Sequence, residues 1–132
     1  MQKYKKGLLE LSNLFFLIPL SVSIIYDIYW YTIVLMAVFI TSVDFHFFKE
    51  AKQVYYLDVI FSSLLMLSNF ILLFKGHWTL PFSAIAIILA LIALSFYFKR
   101  SKENYYFNHS LWHIFSAGVC IFCLITFISF IQ

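Results

Sequence analysis

The sequence predicts an all-α membrane protein, a compact bundle of five transmembrane helices, and three observations carry that reading. Hydrophobic residues make up 64% of the 132 and charged residues 11%, where a soluble domain carries about 25% charged residues. Nine basic and six acidic side chains are too few to cover a water-soluble domain of this size, which excludes soluble enzyme folds. The mean hydropathy is +0.93, and the apolar runs reach the roughly 20 residues needed to cross about 30 Å of hydrocarbon. With three Gly and two Pro, these runs read as helices rather than the turn-rich strands of a membrane barrel. The 17 Phe, 9 Tyr and 3 Trp exclude a disordered chain.

The spans follow in order at about 8–26, 29–48, 54–74, 78–98 and 107–131, within a single domain over 1–132. In the first, Glu10 and Asn13 interrupt the apolar stretch early and no small-residue cleavage site follows, so it reads as a helix and not a secretory signal. Pro19 should kink it, and Pro81 should sit in the first turn of the fourth span, where a missing N–H is tolerated. The connections are short, which makes sequential helices antiparallel neighbours. Lys3, Lys5, Lys6, Lys49, Lys52, Lys99, Arg100 and Lys102 fall on one side and Lys75 on the other, so the N-terminus is expected to be cytoplasmic and the C-terminus outside. Trp30, Trp78, Tyr55, Tyr56, Tyr105 and Tyr106 fall at span ends as interfacial aromatics. The expected location is a bacterial inner (plasma) membrane. The basic loops are explained by topology and anionic lipid, with no support for nucleic-acid binding. Cys120 and Cys123 read as small packing residues in a helix. A homodimer that completes the bundle is compatible with five helices, although no GxxxG motif supports it.

Ionisable groups at membrane depth cost at least about 2.5 kcal/mol each for Asp, Lys or Arg, so their placement is informative. Ser42 and His46 end the second span, Asp58 opens the third, and His109 and His113 open the fifth. In the expected topology these three ends share the cytoplasmic side. His109 and His113 are i and i+4, on one helix face, and can both reach one metal ion. His46 would supply a third imidazole and leave a fourth position for water, the arrangement of a catalytic zinc site. Asp58 would lie within reach of that water. Single histidines and serines in membrane helices more often make interhelical or local backbone hydrogen bonds. It is the convergence of several at one depth that favours Zn2+. Asn69 and Asn108 are expected to make interhelical or capping bonds, and His77 to be solvated in the outer loop.

Ser42-x-x-x-His46, Asp58 and His109-x-x-x-His113, the last within Asn108-His-Ser-Leu-Trp-His-Ile-Phe-Ser-Ala-Gly118, resemble the signature of the CREST superfamily. That group includes alkaline ceramidases, the progestin and adiponectin receptor family and GPI-remodelling lipid hydrolases. Its members have seven transmembrane helices, whereas this chain has length for five, and the acidic N-terminal calcium motif of alkaline ceramidases is replaced here by a basic segment. The resemblance implies zinc held by His46, His109 and His113 and hydrolysis of a lipid amide or ester bond. The expected function is therefore a zinc-dependent intramembrane hydrolase of a membrane lipid, with Asp58 as general base and acid and Ser42 on the oxyanion or orienting a ligand. The alternative is a non-catalytic receptor-like or assembly protein in which zinc is a structural staple. Bis-histidine haem between the second and fifth spans is a third reading, which leaves Asp58 and one histidine unexplained.

Overall fold

The computed structural model describes the backbone of residues 2–47, 52–99 and 104–132 and the side chains of 7–44, 53, 56–99 and 104–132. Every described element is helical. Helix α1 (Gln2–Asn13), a 3-10 turn (Leu14–Phe16) and α2 (Leu17–Ile25) form one interrupted rod, followed by α3 (Tyr29–Phe47), α4 (Lys52–Lys75), α5 (Phe82–Phe98) and α6 (Tyr105–Ile131). The rod and the four later helices match the five expected spans. Three stretches are long and apolar enough to cross a membrane, Gly7–Ile25, Tyr56–Lys75 and Tyr105–Ile131, while Tyr29–Asp44 and Phe82–Phe98 are shorter apolar helices. At about 1.5 Å per residue, α5 is about 25 Å long.

The two prolines explain local departures from straight helices. A proline ring presses on the carbonyl four residues before it and removes one hydrogen bond. For Pro19 that carbonyl belongs to Phe15, within the Leu14–Phe16 turn where the rod tightens. The α5 helix starts at Phe82, not at 78, because His77 and Trp78 take positive φ values of 50° and 53° and cannot belong to a right-handed helix. Pro81 consequently caps α5 from outside its first turn, following a cis Leu80–Pro81 peptide.

Helix α6 is the centre of the packing, contacted by α1, α2, α4 and α5. Sequential helices pack together for α2 and α3, α3 and α4, and α5 and α6, but α4 and α5 scarcely touch and are bridged by α6. The end of α4 docks on α6 so tightly that a Cβ at Gly76 would stand 2.8 Å from the Thr126 carbonyl oxygen. Next to it, His77 is exposed yet packs against Phe130, the rings tilted by 32° with centroids 4.3 Å apart.

Polarity runs opposite to that of a soluble bundle. Ile25, Phe74, Leu80, Leu91 and Phe98 are exposed, whereas Ser12, Asn13, Ser42, Asn69, His109, His113 and Thr126 are buried. In hydrocarbon this is the favourable arrangement, because polar groups find partners only inside. Tyr31 donates to the Asn69 side-chain oxygen and the Asn69 amide reaches Cys120 Sγ at 3.6 Å, joining α3, α4 and α6. Cys120 and Cys123 are unoxidised and fully buried in this seam. The amide of Asn108 donates to the Lys99 carbonyl across the connection between α5 and α6.

The Gly76 contact yields a test. Gly76→Ala should lower stability in detergent by about 1–3 kcal/mol, the usual cost of overpacking, whereas Gly7→Ala, which meets nothing within 4 Å, should not introduce a clash. Thermal unfolding followed by circular dichroism distinguishes the two.

Candidate functional site

The first turns of α6 carry His109 and His113, one helical turn apart and both buried. Their ring centroids are 4.6 Å apart with the planes at 62°. Each ring is braced. Tyr105 stacks on His109 at 5.2 Å, and the edge of Phe16 meets His113 at 6.2 Å. Helix α1 adds two hydroxyl and amide groups that the apolar run of the first span conceals. Ser12 Oγ donates to the Leu9 carbonyl at 2.7 Å and lies 3.2 Å from His113 Nδ1. Asn13 Oδ1 accepts a hydrogen bond of 3.0 Å from Ser42 Oγ on α3. Three helices are thereby tied at one depth by neighbouring residues of α1. The Asn13 Nδ2 donor is buried and has no hydrogen-bond partner among the described residues.

Asp58, half-buried on α4, lines two cavities that share part of their walls. One, of about 80 Å³, is bounded by Ser42, Asp58, Asn69 and His113, and has room for several water molecules on the usual requirement of about 10–15 Å³ each. The other, of about 190 Å³, is bounded by Asp58, Tyr97, Tyr105 and His109. Asp58, Ser62, Met66, Leu94 and Trp112 belong to both. The cavities occupy the space that opens because α4 and α5 scarcely touch.

Of the residues expected at the site, Ser42, Asp58 and His113 surround one cavity, and His109 meets Asp58 at the other. His46 falls on α3 one turn beyond Ser42, and its side chain lies outside the described residues. Among the described residues no three His, Cys, Asp or Glu side chains gather as a metal-ligand cluster. The separation and tilt of the His109 and His113 rings are compatible with two imidazoles on one ion, so the described residues fit two of the three expected ligands. Sequence reasoning gives Ser12 no role, reads Asn13 only as a break in an apolar run, and reads Tyr105 as an interfacial aromatic. The available signal was the clustering of Glu10, Ser12 and Asn13 in a stretch that is otherwise apolar.

The α1–α3 tie is measurable. A double-mutant cycle of Asn13→Ala and Ser42→Ala should give a coupling energy of about 0.6 kcal/mol, the average for hydrogen bonds between membrane helices. Equilibrium unfolding in mixed micelles measures it, and additive single effects would show that the contact carries no energy.

Comparison with protein-family models, with curated proteins and with solved structures finds no match.

Proposed function

We propose that this chain is a zinc-dependent hydrolase that cleaves an amide or ester bond of a membrane lipid inside the bilayer. The observation that supports it best is the gathering of His109, His113 and Asp58 around adjoining cavities in a bundle whose outer surface is apolar. His109 and His113 would hold the metal together with His46. When bound, zinc would supply a Lewis acid for the scissile carbonyl and lower the pKa of a water toward about 7.

The chain's own residues do the rest. Asp58 takes a proton from the attacking water and delivers it to the departing nitrogen or oxygen, acting as base and then as acid. Ser42 either hydrogen-bonds the oxyanion or orients a ligand, and its bond to Asn13 favours the second task because its single proton is already committed. The lipid enters sideways between α4 and α5, where Met66, Ala90 and Leu94 offer an apolar wall to an acyl chain. Its polar linkage then meets Asp58. The distribution of basic residues along the sequence supports a site in the cytoplasmic leaflet, with the N-terminus cytoplasmic and the C-terminus outside.

Elemental analysis of the purified chain should find stoichiometric zinc that is lost in His109→Ala and His113→Ala. Asp58→Asn should retain the metal and lose about 10²–10⁴-fold in hydrolysis of fluorescent acyl-amide and acyl-ester lipids. A native chain without zinc sinks the proposal, and stoichiometric zinc with no turnover of either lipid class favours the structural-staple alternative.

Sidedness is checked by labelling introduced cysteines with an impermeant maleimide, since both native cysteines are buried. His77→Cys should react in intact cells and Asn104→Cys only in inverted vesicles; the reverse pattern would invert the topology.

A further inference from the structure

We propose that Ser12 is a positioning residue for His113, fixing which nitrogen of its ring carries the proton. A serine hydroxyl has one proton to give. Ser12 gives it to the Leu9 carbonyl at 2.7 Å, the shorter of its two contacts, within its own helical turn. At the other contact, 3.2 Å from His113 Nδ1, the serine oxygen has only lone pairs to offer. That contact is a hydrogen bond when Nδ1 carries the proton and donates. A neutral imidazole has a single N–H, so Nε2 is left with its lone pair. The ring is thereby set in the tautomer that presents Nε2 as a ligand, the task that a partner on the other nitrogen performs for metal-binding histidines generally.

The surroundings enforce the choice. Ser12 is 1% exposed and His113 4%, so bulk water does not compete for either group. The Leu9 carbonyl anchors the serine oxygen, and Phe16, one turn further along the same rod, stands against the imidazole and limits its rotation. Ser12 therefore acts through His113 and not on the substrate. The consequence for metal affinity rests on the zinc reading above, whereas the consequence for the tautomer does not.

The experiment uses the full chain in detergent micelles, labelled with 15N-histidine, at a pH where imidazole is neutral. The His113 signals are assigned by their loss in His113→Ala, and Zn2+ alone is then titrated into each variant. The native chain should show the Nδ1–H tautomer at His113. Ser12→Ala should shift His113 toward Nε2–H and weaken zinc binding by about 10–100-fold. Ser12→Thr, which keeps the hydroxyl, should restore both. Ser23 is a buried serine in the same rod that bonds Thr32 rather than the site, and Ser23→Ala should change neither readout. The inference is overturned if Ser12→Ala leaves the His113 tautomer as in the native chain, or if Ser23→Ala perturbs tautomer and affinity equally. A native chain that binds no zinc overturns the hydrolase reading alone, because the metal-free spectra still decide the role of Ser12.

Discussion

Burial of polar groups against α6 is the constraint on which the rest of this structure depends. The outer surface offers hydrocarbon to hydrocarbon, so apolar burial between helices contributes little and interior hydrogen bonds and close packing must define the arrangement. Helix α6 meets that demand on several sides at once. Its first turns face Ser12 of α1, its middle faces Asn69 of α4 through Cys120, and its end accepts Gly76 at backbone contact. One helix thus provides the reference for depth and rotation of nearly all the others.

The same arrangement explains where the cavities are. Since α4 and α5 each pack on α6 and scarcely on each other, a wedge remains between them, and the polar residues at the start of α4 and α6 look into it. In a soluble protein such a wedge would fill with water or collapse. Here its walls combine apolar side chains such as Met66, Ala90 and Leu94 with Asp58 and the histidines.

Much of this was legible in the sequence, and the illegible parts have physical reasons. Five spans emerge from hydropathy because an apolar run of the right length has few alternatives in a membrane. The convergence of Ser42, Asp58 and His109/His113 follows from short connections, which leave little freedom in which ends meet. The start of α5 was misplaced because Trp78 and Leu80 are as apolar as the helix they precede, and hydropathy does not register a left-handed backbone. Non-adjacency of α4 and α5 was hidden because it is a matter of packing on α6, contacts between distant parts of the chain. The roles of Ser12 and Asn13 were hidden for a related reason: serine and asparagine in membrane helices usually serve local bonds, and only the rotation of α1 reveals which face they occupy.

That rotation has its own origin. The buried positions of the first rod run Leu9, Ser12, Asn13, Phe16, Pro19 and Ser23, and the 3-10 turn lies between the polar pair and the proline. A 3-10 turn advances by about 120° per residue where an α-helix advances by about 100°, so those three residues reset the angular phase of everything before them relative to everything after. Pro19 works like the index mark on a dial. It sets the bearing at which Ser12 and Asn13 arrive, so the polar end of the rod is indexed from its middle.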